Sequence, residues 1–174
     1  RELKQTKHRV IFDRIEAGTY IIASALTNGN LKIKNVIPRV IGTEIKLLKK
    51  MGVKISQRKN YIIVSNSNKI KNIKIKTEPF PGFPTDLQAQ IMVLMINANG
   101  ISTIKEDIFE NRFMHVSELR RMGARIETKG SRAKIFGKSR LNGAELMATD
   151  LRASVSLVLA GLIPSSKTIV NRIY

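Results

Sequence analysis

The sequence predicts a mixed α/β fold built from a repeated unit of strands and helices, and three observations predict it. The segment Lys49-Lys50-Met51-Gly52-Val53-Lys54-Ile55 returns 71 residues later as Arg120-Arg121-Met122-Gly123-Ala124-Arg125-Ile126. Thr85-Asp86-Leu87-Gln88-Ala89 likewise returns as Thr149-Asp150-Leu151-Arg152-Ala153. Behind both aspartates the apolar residues keep the spacing of one helical stripe. The stripe is Leu87, Ile91, Leu94, Met95 and Ala98 after Asp86, and Leu151, Val155, Val158, Leu159 and Leu162 after Asp150. Asp13 opens a weaker third copy with Ile21, Ile22 and Ala25. Three copies of one unit, at approximately 9–66, 71–137 and 140–174, make a single domain of residues 1–174.

Each unit reads as strand, helix, strand, helix and two further strands. In the first, a helix near 14–27 precedes a strand at 31–36, a helix near 40–51 and strands around 53–57 and 60–65. The tight bend at Arg58-Lys59-Asn60 makes the last two a hairpin. The second unit runs as a strand at 72–76, a helix near 86–98, a strand at 100–105, a helix near 112–122 and strands at 124–128 and 132–136. Gly52 and Gly123 fall just past the second helix of their units, where a left-handed cap is wanted. The third unit has a strand around 141–146, a helix near 150–162 and a strand at 167–173. It stops there, so its edge is expected to be unfinished. Pro79-Phe80-Pro81-Gly82-Phe83-Pro84 is a rigid approach to a helix start whose aromatics point to packing. Met92, Met95 and Met147 read as core.

Composition narrows the function. At 174 residues with 43% hydrophobic and 25% charged residues, the chain has the make-up of a globular domain. Without cysteine it has no disulfide, thiolate metal site or cysteine nucleophile, and His8 and His115 match no metal-ligand spacing. Apolar runs such as 91–96 and 155–163 are too short to span a bilayer, and no signal peptide is visible, which fits a cytoplasmic protein. The charge is unusual, with 31 Lys+Arg against 13 Asp+Glu giving +18. Such a field draws anionic ligands or nucleic acid. Many of the lysines alternate with apolar residues, as in Leu31-Lys32-Ile33-Lys34 and Ile73-Lys74-Ile75-Lys76, which assigns them to solvated strand faces. Aromatics are 5%, and no basic segment interleaves them as a base-stacking surface does, which weighs against nucleic acid.

Two places could carry chemistry. Asp86 stands where the proline-rich loop meets a helix. It is either an N-cap, with Thr85 and Gln88 at capping-box spacing, or a carboxylate held within reach of a substrate hydroxyl as general base. Glu110-Asn111-Arg112-Phe113-Met114-His115 joins a strand to a helix. There Arg112 is either a solvated arginine opening that helix or a planar fork for carboxylate or phosphate. Arg152, two residues after Asp150, has the same two readings, and His115 by itself reads as structural.

The blocks 81–90 (Pro-Gly-Phe-Pro-Thr-Asp-Leu-Gln-Ala-Gln), 108–115 (Ile-Phe-Glu-Asn-Arg-Phe-Met-His) and 148–154 (Ala-Thr-Asp-Leu-Arg-Ala-Ser) resemble, in order and spacing, the enolpyruvyl transferases that act on UDP-N-acetylglucosamine. Asp13-Arg14-Ile15-Glu16-Ala17-Gly18-Thr19 is similar to that family's entry into its second large domain. The resemblance implies an inside-out, barrel-like domain of βαβαββ units with helices inside and sheets outside. It implies transfer of the enolpyruvyl group of phosphoenolpyruvate to the sugar 3-hydroxyl in peptidoglycan synthesis, a step tied to cell shape and division, without a cofactor or metal. By the same resemblance Asp86 is the base at that hydroxyl and Ile108 contacts the nucleotide sugar. Arg112 lies by the reacting phosphate and carboxylate, and Asp150 and Arg152 line the cleft near phosphoenolpyruvate. The family's other domain, with a general-acid cysteine and a lysine-asparagine pair, and a further arginine completing the third unit are not in this sequence, so the chain alone is expected to be inactive. Three rivals stand beside this: the sister enzyme acting on shikimate 3-phosphate, a basic nucleic-acid-binding module, and a remnant with a structural role only.

Overall fold

The computed structural model describes residues 3–173. The chain forms helix α1 (Arg14–Leu26), strand β1 (Leu31–Lys34), helix α2 (Gly42–Lys50) and strands β2 (Lys54–Arg58) and β3 (Tyr61–Ser65). Next come β4 (Lys74–Lys76), a 3₁₀ turn (Thr85–Leu87), α3 (Gln88–Asn97), β5 (Ile101–Lys105), α4 (His115–Arg121), β6 (Arg125–Lys129) and β7 (Arg132–Phe136). Strand β8 (Glu145–Met147), helix α5 (Leu151–Gly161) and strand β9 (Ile169–Asn171) complete the described elements.

The repeat read from sequence is a repeat of topology. The middle sheet has strand order β4-β5-β7-β6, with β4 and β5 parallel and the remaining neighbours antiparallel. The first sheet, β1-β3-β2, reproduces its β5-β7-β6 part, and the parallel pair β8-β9 reproduces β4-β5. Both hairpins turn through two residues, Arg58 pairing Tyr61 and Lys129 pairing Arg132. Gly52 and Gly123 close α2 and α4 at φ +96° and +102°. A Cβ at either would also strike a carbonyl oxygen, that of Lys69 at 2.6 Å or Arg140 at 2.9 Å, so both positions are closed to other residues.

The core lies on the helices. Helix α3 has no polar side: every residue from Gln88 to Ile96 is buried, and the helix runs between α1 and α5. A helix apolar all round is stable only when surrounded, so the sheets lie outside it. Alternation along the strands then turns Lys32, Lys34, Lys74 and Lys76 outward while Ile75, Ile104, Ile126 and Ile135 face in.

The outermost helix departs from the expected pattern. On α5 the buried residues are Ala153, Ser154, Ser156, Leu157, Leu159 and Ala160, whereas Leu151, Val158 and Leu162 of the expected stripe are exposed. The cause is position in the stack. Leu94, in the same repeat position as Val158, is covered on α3, whose main helix contacts are α1 and α5, whereas Val158 is 44% exposed on α5, whose main helix contacts are α3 and α4. Met92 and Met95 are core as expected, but Met147 is exposed, because the inward position of β8 belongs to Leu146. Of the loop aromatics, Phe83 is buried, while Phe80 is exposed under the Arg14 guanidinium, 5.0 Å from its ring centroid. Helix α4 begins at His115, three residues later than the sequence suggests.

Position in the stack is directly testable. Leu94→Ala should cost about 2–5 kcal/mol of unfolding free energy, and Val158→Ala should change it by less than about 1 kcal/mol. Urea unfolding monitored by circular dichroism measures both, and equal losses would contradict the arrangement.

Candidate active site

Asp86 shows how one position in a repeat takes two jobs. Asp13 caps α1 by accepting from the amides of Ile15 (2.7 Å) and Glu16 (3.3 Å). Asp150 caps α5 from the amides of Arg152 (2.8 Å) and Ala153 (3.0 Å). Asp86 caps nothing. The proline-rich approach starts a 3₁₀ turn whose N-cap is Pro84, with no side-chain bond, and Asp86 falls inside the turn. The capping-box reading fails with it, since the Thr85 hydroxyl donates to Glu106 instead (3.0 Å). The loop before it is held by the first unit: the Thr43 hydroxyl donates to the Pro81 carbonyl (2.6 Å) and Arg14 to that of Gly82 (3.3 Å). Arg14 also pairs at 3.4 Å with Glu44, a buried carboxyl whose pKa burial pushes up.

Released from capping, the Asp86 carboxylate turns to two arginines. Oδ1 accepts from Arg152 Nε in a close contact and from Arg112 Nη1 at 3.5 Å. Oδ2 accepts no hydrogen bond among the described residues, and the side chain is 37% exposed. Ion pairs this exposed contribute at most about 1 kcal/mol, so their effect is to aim the groups. Arg112 is steadied further by stacking over Phe109, 4.4 Å from the ring centroid.

These residues meet at cavities that share walls. A cavity of about 250 Å³ is lined by Gln88, Arg112, His115, Asp150 and Arg152, among others. Arg152 also lines a second, of about 480 Å³, with Asp86, Asp13 and Gln90. Arg112 also lines a third, of about 560 Å³, with Ile108 and Phe109. Of the five expected site residues, Arg112, Asp150 and Arg152 therefore line the 250 Å³ cavity, Asp86 stands in the adjoining 480 Å³ one beside Arg152, and Ile108 in the 560 Å³ one beside Arg112. Arg112 lies ahead of α4, in the turn before it, and not in its first turn.

Buried polar atoms without partners also line the first cavity: Gln88 Nε2 and His115 Nε2 bond to nothing among the described residues. Two guanidinium groups converging on a small cavity suit an anion. Burial drives the His115 pKa down to about 4, against the opposing charge of Asp150. Among the described residues no three His, Cys, Asp or Glu side chains cluster as a metal site.

One participant escaped sequence reasoning. Glu106 is a buried carboxylate just past β5, accepting from Thr77, Thr85 and the amides of Ile108 and Phe109. Its signal was parity: Ser102 and Ile104 face inward, so Glu106 does too.

A family model described as EPSP synthase (3-phosphoshikimate 1-carboxyvinyltransferase) matches residues 1–174. The chain belongs to that family. Among curated relatives, the UDP-N-acetylglucosamine 1-carboxyvinyltransferase of Pelagibacter ubique is 62% identical over 172 residues, covering 99% of this chain and 41% of the relative. A protein of the same name, numbered 1, from Caldanaerobacter subterraneus is 53% identical over 100% of this chain and 42% of the relative. The chain thus spans about two-fifths of the family members it matches. Among solved structures, the enolpyruvyl transferase NikO from Streptomyces tendae superposes with TM-score 0.86 at 28% identity, covering 92% of this chain and 39% of that one. EPSP synthase from Acinetobacter baumannii shares the fold, at TM-score 0.72 and 19% identity over 93% of this chain and 42% of that one. The inside-out arrangement expected from sequence is thus the enolpyruvyl transferase fold.

The His115 environment gives a direct test. Its native pKa lies below the ordinary 6.5, so the native state disfavours the proton. The stability it contributes is complete above 6.5 and is lost as pH falls from there toward 4. Nitrogen-15 NMR should find the His115 ring neutral at pH 5.5, with a midpoint of about 4; a midpoint at 6.5 would contradict the burial.

Proposed function

We propose that this chain forms one enolpyruvyl transferase domain, units 9–66, 71–137 and 140–174, of a UDP-N-acetylglucosamine 1-carboxyvinyltransferase. The reaction moves the enolpyruvyl group of phosphoenolpyruvate onto the 3-hydroxyl of UDP-N-acetylglucosamine and releases phosphate, the committed step toward peptidoglycan and so toward cell shape and division. The observation that carries this is the Asp86 carboxylate, with one oxygen fixed by arginines from two units and the other unbonded at a cleft. Such a group is oriented without being consumed, as a general base requires. Oδ2 takes the hydroxyl proton, while Arg112 and Arg152 balance the phosphate and carboxylate of phosphoenolpyruvate. Asp150 fixes the start of α5 and hence Arg152, and Ile108 borders the nucleotide sugar. The names of relatives at 62% and 53% identity favour the sugar nucleotide over shikimate 3-phosphate as acceptor. Both substrates are anions, which suits a chain of formal charge +18 and gives the charge a use without nucleic acid.

We place the reaction in the cytoplasm, in keeping with the expectation from sequence; no helix among the described residues is long and apolar enough to cross a membrane. The opposing face of the cleft, with the acid that protonates phosphoenolpyruvate, belongs to the family's other domain, supplied in cis or in trans. Closure of two domains excludes water from the reaction, so half of the site turns nothing over.

Phosphate release tests this. The chain alone should release none from phosphoenolpyruvate and UDP-N-acetylglucosamine. A chimera in which it replaces the matching segment of the Pelagibacter ubique relative should turn over. In that chimera Asp86→Asn should lower kcat by about 10²–10⁴-fold while nucleotide-sugar binding persists. Release by the lone chain, or a full rate from Asp86→Asn, would reject the proposal.

A further inference from the structure

We propose that Glu106 is a positioning residue that holds the general base and the nucleotide-sugar loop in register through separate oxygens of one buried carboxylate. The inference rests on the reading of Asp86 as base and adds to it a residue that touches no substrate.

The two oxygens divide the work. Oε1 accepts from the amides of Ile108 (3.0 Å) and Phe109 (3.3 Å) and from the Thr77 hydroxyl (2.8 Å). The Thr77 oxygen in turn accepts from the Asp107 amide (2.9 Å), so three successive amides of the 107–109 loop end on this cluster. Oε2 accepts from the Thr85 hydroxyl (3.0 Å), and Thr85 is the residue before Asp86 and the first of its 3₁₀ turn. Through Oε1 the carboxylate sets Ile108 directly. It also sets Phe109, the ring against which Arg112 stacks.

Other reasons for this carboxylate fail. A buried charge is costly unless its lone pairs are satisfied, so a residue here for packing alone would be apolar, as Ile104 is at the preceding inward position. Among the described residues it pairs with no cation: the exposed neighbour Asp107 takes the lysines, Lys105 at 2.9 Å and Lys76 at 3.1 Å. All its described partners are backbone amides and hydroxyls of the loops that carry Asp86, Ile108 and Arg112. Four donors converging on one ionised group form a rigid node, and the catalytic effect of a base falls steeply when its geometry drifts by about 1 Å.

Because the oxygens serve different loops, substitutions separate them. In the chimera defined above, Thr85→Val removes the Oε2 bond alone. It should lower kcat about tenfold or more while KM for the nucleotide sugar stays within about twofold. Glu106→Gln keeps the shape but turns an amide NH₂ against the donors of one oxygen. It should lower kcat at least as far and also raise KM several-fold. A role confined to stability would lower the melting temperature and leave kcat per folded enzyme and KM as they were; that outcome from both variants overturns the inference, with the parent and Asp86→Asn results still standing for the reading of the site. Hydrogen exchange on this chain alone supplies a readout independent of turnover. Glu106→Gln should speed exchange at Ile108 and Phe109 by about tenfold or more while amides of the β5–β7 pair keep their protection. Unchanged exchange at Ile108 and Phe109 overturns the inference even if the chimera is inactive.

Discussion

A helix without a solvated side has to be enclosed, and enclosing α3 is the constraint from which the rest of this structure follows. Nine successive residues, Gln88 to Ile96, are buried. No single helix–sheet contact can cover them, so α1 and α5 flank the helix and the sheets form the outer layer. Repetition is the economical way to build such a surround, since one amphipathic unit recurs with its apolar side always turned to the same axis. On α5 the enclosure is incomplete, and Leu151, Val158 and Leu162 stay exposed.

The enclosure also sets the chemistry. With α3 fixed along the axis, its first turn and the loops after β5 and before α5 come together at one end. There the middle unit departs from its siblings. Asp13 and Asp150 spend their carboxylates on helix caps, whereas the proline-rich loop starts α3 through a 3₁₀ turn and leaves Asp86 free to meet arginines from its own unit and the next. A repeated topology with one changed helix start turns a capping aspartate position into one whose carboxylate meets two arginines instead. The surrounding loops are tied down from two directions, by Arg14 and Thr43 of the first unit and by Glu106 of the second.

Much of this was legible in the residues. The return of the Met-Gly segment at 51–52 and 122–123 gave the units, and helical spacing gave each helix to within a few residues. What periodicity could not supply was neighbourhood. The stripe after Asp150 has the same offsets as that after Asp86, yet burial depends on how many elements stand alongside, which spacing does not encode. At the site, the residue types at 86, 112 and 152 suggested chemistry and Asp150 entered by resemblance alone, but Asp86 read more readily as a cap, because the 3₁₀ start that frees it is a backbone feature. Glu106 was missed because an acid after a lysine-bearing strand looks solvated; only strand parity marks it as inward-facing.

Under the proposed function, the unbonded oxygen of Asp86 faces the sugar hydroxyl that reacts. The most direct measurement is a crystal structure of the chimeric enzyme with UDP-N-acetylglucosamine bound, read for that contact. A base at Asp86 requires the 3-hydroxyl within hydrogen-bond reach of its carboxylate, about 2.6–3.2 Å, with Arg112 and Arg152 still against the other oxygen. A sugar seated with that hydroxyl out of reach, or an Asp86 side chain swung away from the cleft, would contradict it.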